Sequence, residues 1–400
     1  SKAVENTFNY IFHKLKKGIF VRIANNALET FLPFSNAHYK NEFGHLLRVN
    51  PKYGSVKDFL RSVSAALGYR FRNDTVIKPF DEWVANNALV RYDENEGDNN
   101  VAILYDMFKT LCDERLVPDV EFFVNRRDFP QLKVDGTEPY NHIFGTKHYP
   151  LGSHSYDKYA PILSGSSAKD YADIPFPTYE DWARAVNQET GKVFPNACRT
   201  YPKISQIPWK NKSSKAVFRG ATTGAGVTPA TNQRLNAFEI SLEHENLLDV
   251  GFTKWNLRPR KLEDSEYLQT IERSDYPVAD RLNLQEQNKF KYILNLEGHV
   301  AAYRLSYELS SGSVVLLADS KWKMWYSDIL KPHVHYVPVK GDLSDLLDVI
   351  EWFKTNDSKC KEIATNAREF YDKYLGTVGI LDFLQKELKN NEHFVQENME

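Results

Sequence analysis

Apolar positions in the second half of the chain form short continuous runs followed by stripes at helical spacing. Ala216-Val217-Phe218 reads as a strand, Arg219 to Gly224 as a turn, and Leu235, Phe238 and Leu242 as the apolar face of a helix. The plan repeats with a strand from Tyr292 to Leu296, a turn at Glu297-Gly298-His299, and a helix from Val300 to Ser311 closed by Gly312. Ser313 to Leu317 is almost free of polar residues, as a strand covered on both faces of a parallel sheet should be. After a strand over Val334 to Val339, the residues Leu343, Leu346, Leu347, Ile350 and Phe353 form one stripe of a helix beginning near Asp342. Further helices are expected over 358–375 and 378–390. Such units imply right-handed βαβ crossovers in a doubly wound sheet, with the ligand outside the carboxyl ends of its strands.

The first half is patterned differently. Residues Lys2 to Lys17 are polar and amphipathic, Leu104, Met107, Phe108 and Leu111 recur at helical spacing, and Val120 to Val124 reads as a buried strand. That strand stops at Asn125-Arg126-Arg127-Asp128-Phe129-Pro130, and residues 134–183 have the Gly, Ser, Pro and aromatic content of a long ordered loop. The contrast predicts two unlike α/β domains, 1–205 and 206–385, with a C-terminal helix or tail over 386–400. No internal repeat or low-complexity segment is evident.

Composition narrows the function classes. The chain has 400 residues, enough for two cores, and its net charge of -2 gives no overall field to attract a polyanion, so nucleic acid is not an expected partner. Cys112, Cys198 and Cys360 lie far apart without a CxxC pair and read as reduced thiols. No run approaches the ~20 apolar residues of a membrane span. A cytoplasmic location is expected, with a secretory lumen as the alternative if an upstream signal has been removed. In that setting the sequons at Asn73, Asn211 and Asn356 would matter.

Several residues sit where chemistry is expected. Phe218-Arg219-Gly220 lies where a strand hands over to a helix, a place for backbone N–H groups and a cation to hold a phosphate. The competing reading is a glycine serving the turn and an arginine in a surface ion pair. Gly298, followed by Val300-Ala301-Ala302-Tyr303-Arg304, has small residues that let an anion approach exposed amides, with Arg304 one turn further in. Close helix–sheet packing is the alternative there. Asp128, at the end of a strand, can serve as a general base or simply pair with Arg126 and Arg127; Asp173 is a similar loop carboxylate. His333 and His335 share a strand face, but no third ligand has suitable spacing, so no metal is expected. There is no Asp-x-Asp between strands, no Walker loop, no complete dinucleotide fingerprint and no Gly-x-Ser-x-Gly.

Taken together, these motifs resemble glycosyltransferase family 90, the Rumi-type protein O-glucosyltransferases and capsule-associated xylosyltransferases. The resemblance covers about 120 to 375. It is carried most densely by Lys291 to Gly298, Ala301-Ala302-Tyr303-Arg304, Ser311 to Val315, Trp325-Tyr326, Lys331 to Val339 and Asp342 to Leu346. Upstream, Ala216 to Gly220 is similar to the family's Phe-Arg-Gly turn. Pro161 to Ser164 with Asp173-Ile174-Pro175 is similar to its acceptor-side loop, and Asn125 to Pro130 to its Arg-Asp-aromatic-Pro motif. Residues 1 to about 100 show no resemblance.

The resemblance implies a GT-B architecture of two Rossmann-like domains facing across a cleft, a UDP-sugar donor carrying xylose or glucose, inversion at the anomeric carbon, and no metal or other cofactor. It implies Asp128 as the base, Ser164 and Asp173 on the acceptor side, and donor contacts from Arg219, Gly220, Thr222, Thr223, Gly298, Val300, Ala301, Ala302, Tyr303 and Arg304. The acceptor would be a hydroxyl of a glycan or glycoprotein. Two departures stand out: Ala221-Thr222-Thr223-Gly224 replaces the usual Ser-Arg-Thr-Ser, removing a basic residue, and the family's disulfides and endoplasmic-reticulum retrieval tail are missing. The first departure bears on the anion contacts, and the second favours a cytosolic enzyme of microbial or large-virus glycan assembly. A non-catalytic sugar-nucleotide or glycan-binding protein on the same fold is the competing class, and a kinase or phosphatase would need metal ligands not evident in the sequence.

Overall fold

The structure, a computed structural model, describes residues 2–11, 15, 17–36, 48–49, 100–134, 159–194, 200–257 and 276–395. Cys198, the Asn73 sequon and part of the expected 134–183 loop lie outside them. The chain forms two compact α/β units, Ser1–Tyr201 with Gly376–Glu400, and Pro202–Leu375. The final long helix thus belongs to the first unit.

In the first unit, α1 (Lys2–Tyr10) precedes β1 (Lys17–Ala24) and β2 (Ala27–Asn36). Asn25 and Asn26 join these strands at φ 50° and 57°. Positive φ at both central residues is what a tight hairpin matching strand twist demands, and Asn tolerates it. β3 (Arg48–Val49), α2 (Asn100–Glu114), β4 (Val120–Val124), β5 (Ile162–Ser164), β6 (Ile174–Pro175) and α3 (Tyr179–Thr190) follow. The sheet order is β3-β2-β1-β4-β5-β6. β1 is antiparallel to β2 and β4, whereas β4, β5 and β6 run parallel. β4 is central and buried, which explains its apolar run of Val120, Phe122, Phe123 and Val124. The 134–183 segment is more regular than composition suggests, since β5, β6 and the start of α3 fall within it. Thr178 and Asp181 begin α3 with a capping box, and Gly191 at φ 74° ends it.

The second unit has β7 (Ser213–Ala221), α4 (Gln233–Glu243), β8 (Leu248–Lys254), α5 (Leu284–Gln287), β9 (Phe290–Asn295), α6 (Leu305–Glu308), β10 (Val314–Ala318) and β11 (Val337–Val339). α7 (Leu346–Thr355) and α8 (Asp357–Tyr374) complete it, and α9 (Thr377–Asn390) and α10 (Glu392–Val395) return to the first unit. Its sheet, ordered β11-β10-β9-β7-β8, is parallel throughout. Ala216, Val217, Phe218, Tyr292, Ile293, Leu294, Val314, Val315 and Leu316 are all buried, the signature of a sheet covered on both faces.

Three expectations require correction. The helix expected over Val300–Ser311 contracts to α6, because 298–304 is an irregular turn in which Gly298 N donates to Val300 O at 2.9 Å. The Val334 strand shortens to β11, since Lys331–Tyr336 folds into a turn with His333 at φ 60°. The helix expected from Asp342 begins at Leu346 instead, because Leu343 takes φ 58°, outside the helical region.

Candidate functional site

In the second unit the carboxyl ends of β7 and β9 lead into the two glycine-containing turns. Phe218, the last fully buried side chain of β7, has the Arg304 guanidinium 4.8 Å and the Arg234 guanidinium 5.3 Å from its ring centre. Such contacts are favourable for partly desolvated cations. Gly220 makes this possible, because a Cβ there would sit 2.9 Å from the Phe218 ring and 3.3 Å from Arg304. A Cβ at Gly298 would likewise lie 3.1 Å from Thr223 Oγ1 and 3.2 Å from Arg234 Nη2.

The three arginines differ in how they are satisfied. Arg219 lies along the sheet, pairing with Asp249 of β8 at 2.7 Å and donating to the Phe218 and Asp249 carbonyls. Arg304 donates to Arg219 O at 2.5 Å, and its Nε lies 3.1 Å from Glu308 Oε1, an ion pair without hydrogen-bond geometry. Glu308 is buried and also receives Asn295 Nδ2 at 2.6 Å; burial raises its pKa, opposed by Arg304 and Asn295. Among the described residues the oxygens to which Arg234 donates, those of Ala221, Thr223 and Leu296, are neutral. Burial first, then repulsion from Arg304, lowers its pKa, yet a guanidinium keeps its proton over the working range. Among the described residues, Arg219 Nε, Arg234 Nε and Arg304 Nη2 are buried without a hydrogen-bond partner.

The backbone adds to this unfilled donor set. The N–H groups of Val300, Ala301 and Ala302 find no acceptor among the described residues, and Val300 and Ala302 are buried. Buried amides are nearly always paired, so open ones at Val300 and Ala302, with the half-buried Ala301 between them, could receive an anion. Asn232 secures the facing turn: its Oδ1 caps α4 at Arg234 N and Leu235 N, while its Nδ2 donates to Thr222 O and Gly226 O, each at 3.0 Å. Thr222 Oγ1 accepts from Asn256 N at 2.8 Å, and Tyr303 precedes the Arg304 cap of α6.

Sequence reasoning missed Arg234, Asn232 and Glu308. A legible signal existed for the first two: Asn232 is a strong N-cap, and a cation in the first turn of a helix opposes the macrodipole unless an anion joins it.

The expected base and acceptor-side residues lie in the first unit. Asp128 is exposed in the bend after β4. Arg127, beside it, donates through Nε and Nη2 to Leu15 O at 3.1 and 2.6 Å. Asp173 is buried and accepts from Gln131 N, Leu132 N and Ser164 Oγ at 2.9, 2.7 and 2.5 Å. Burial pushes its pKa up to about 6 against those hydrogen bonds. Asn125 closes the ring by accepting from Gln131 Nε2 and Arg127 N and donating to Phe129 O and Ser164 Oγ. Asp173 and Ser164 therefore brace the loop that carries Asp128. His335, on the 331–336 turn, accepts from Lys331 N and packs on Phe370. No group of three or more His, Cys, Asp or Glu among the described residues is arranged to hold a metal ion.

Uncharacterized protein 179R of Invertebrate iridescent virus 6 is 46% identical over 430 residues, covering 95% of this chain and 36% of that protein. Human Protein O-glucosyltransferase 3 is 31% identical over 273 residues, 65% of this chain and 46% of its own length. The chain spans 36% of the length of the iridescent-virus 6 protein and of its iridescent-virus 3 counterpart. Among solved structures, Anabaena HepE in complex with UDP aligns over 72% of this chain and 76% of its own, with 12% identity and a TM-score of 0.29. The model of Glycosyl transferase family 90 matches residues 101–398, most of both units. This chain belongs to glycosyltransferase family 90.

Proposed function

We propose that the chain transfers a sugar, glucose or xylose, from a UDP-sugar to a hydroxyl of a glycan or glycoprotein, with inversion and without a metal ion. The observation that carries this reading is the unfilled donor set among the described residues of the second unit: three open amides beside Arg234 and Arg304, with unpartnered guanidinium nitrogens. A diphosphate supplies the acceptors these groups lack. Charge-assisted bonds to its oxygens offset the negative charge that develops on the leaving group, the task a metal ion performs elsewhere. Family membership and the names of the O-glucosyltransferase relatives support sugar transfer.

Asp128 is the base in this reading. In a single displacement the acceptor oxygen attacks opposite the departing UDP while a carboxylate takes its proton. Asp128 is exposed on a turn whose backbone is fixed by Asn125 and, through Gln131, by Asp173. Ser164 and Asp173 act through that loop. The test is UDP release from UDP-glucose and UDP-xylose with a glycan acceptor, repeated in EDTA. Release should require acceptor and survive EDTA; activity abolished by EDTA and restored by Mn²⁺ would overturn the metal-free part. UDP-sugar binding without acceptor-dependent release would favour a non-catalytic binding protein.

A further inference from the structure

The open-amide turn is continuous with a second feature of the same unit. One residue before Gly298 stands Glu297, and beside it lies a cavity of about 110 Å³. Its wall runs from the Asn295–Ala302 turn across the carboxyl ends of β9 and β10 to Trp322, Lys323 and Tyr336. Neighbouring side chains in the first turn of α4 fix the junction. Arg234 Nη2 donates to Leu296 O at 3.1 Å, while Gln233 Oε1 accepts from Glu297 N at 3.0 Å. Gln233 Nε2 then donates to Asp319 O at 2.9 Å, tying the end of β9 to the end of β10. The cationic cluster and the cavity are therefore adjacent, with the Glu297 backbone held between them.

The chemistry of the cavity differs from that of the cluster. Ser320 Oγ donates to Glu297 Oε2 at 2.6 Å, and among the described residues no hydrogen bond reaches Oε1. Asp319, exposed at the same wall, adds a second carboxylate. Ionised carboxylates accept and do not donate, so an occupant must bring O–H or N–H groups. Lys323 stands on the same wall, so charge alone does not choose the occupant; the open Glu297 oxygen does, and a phosphate oxygen has no proton to give it. Uracil presents two carbonyl oxygens and one N–H, a poor match for two acceptors. A sugar ring brings several hydroxyl donors, and its C–H face suits an aromatic wall such as Trp322. At about 110 Å³ the cavity takes part of a sugar ring and is well below the ~300–1,000 Å³ of sites that enclose larger ligands.

We infer that this cavity is the carbohydrate subsite of the second unit, and that Glu297 Oε1 accepts from hydroxyls of the sugar on the nucleotide bound at the amide turn. The inference rests on the UDP-sugar reading and makes Glu297 a specificity-determining residue. Calorimetric titration of the full chain and of Glu297→Gln with UDP, UDP-glucose and UDP-xylose tests it. The amide keeps the shape and replaces one acceptor oxygen by a donor. Affinity for the preferred UDP-sugar should fall about tenfold or more while that for UDP changes less than about twofold. Equal losses for UDP and UDP-sugar would overturn the inference, because the cavity would then serve the nucleoside or the anion turn; no loss for either would overturn it as well. If Glu297→Gln does not fold, Trp322→Ala provides the same comparison, with the same selective loss expected. Failure of the unaltered chain to bind UDP at all is a different outcome and overturns the UDP-sugar reading itself.

Discussion

After β4 and after β9 the chain leaves a buried strand and must place several polar groups at once, and it does so with opposite balances. In the first unit Asp173, Ser164, Asn125 and Gln131 bond one another in a closed ring that leaves Gln131 Oε1 without a partner among the described residues, and Asp128 stands exposed on the loop that this ring braces. Among the described residues of the second unit donors exceed acceptors: Arg234 donates to neutral oxygens, Arg304 Nη2 has no hydrogen-bond partner, and three amides are open. A network whose members are nearly all paired resists displacement and so suits a group whose position matters. An unsaturated one is stabilised by whatever supplies the missing acceptors, which suits a binding site.

Removing the principal group of each unit should have opposite consequences. Asp128→Asn keeps the shape of the loop and removes basicity, so sugar transfer should fall by about 10²-fold or more while UDP affinity stays unchanged. Steady-state transfer and UDP titration on the same variant decide it, and near-normal transfer would remove Asp128 from the chemistry. Arg234→Ala should act conversely. Losing charge-assisted contacts of about 1.5–3 kcal/mol each, it should weaken UDP binding by about 10²-fold, and Arg234→Lys should not restore it, because an ammonium cannot span the Ala221, Thr223 and Leu296 oxygens. Unchanged UDP affinity in folded Arg234→Ala would mean that the open donors await something else.

How far each side was legible in the sequence follows from the range of its interactions. Val120–Val124 and the α8 and α9 helices show in local periodicity, and the α/β class follows from the second unit's alternation of strands and helices. The β1–β2 hairpin escaped notice because its signal is two asparagines at positive φ rather than an Asn-Gly pair. The Val300 helix was over-extended because alanines have high helix propensity, whereas Gly298 and the donor-rich turn hold the backbone elsewhere. Arg219 was placed by its motif as an anion ligand, and its pairing with Asp249 depends on strand order, which no local pattern reveals. The bracing role of Asp173 joins residues more than forty positions apart and could be read only from the fold.

The smallest effect bears on whether the first unit's ring is as self-contained as its hydrogen bonds indicate. Burial raises the Asp173 pKa to about 6, against about 3.9 for an unfolded aspartate, although Ser164, Leu132 and Gln131 donate to it. Between those values the folded chain binds more protons than the unfolded chain. The stability that this group contributes is therefore fully present below about pH 4 and is lost as pH rises through about 6, a change of about 2–3 kcal/mol. Asp173→Asn does not titrate, and it forces an NH₂ group or a weaker acceptor against the Gln131 and Leu132 amides, so it should be destabilising at both ends of the range. Urea unfolding of both proteins from pH 4.5 to 7.5 isolates the effect: the advantage of the unaltered chain over the variant should shrink as pH rises. An advantage that grows with pH would show that the ring holds Asp173 ionised through a charge partner, and the network would then be an ion-pair system rather than a closed set of neutral donors around one carboxylate.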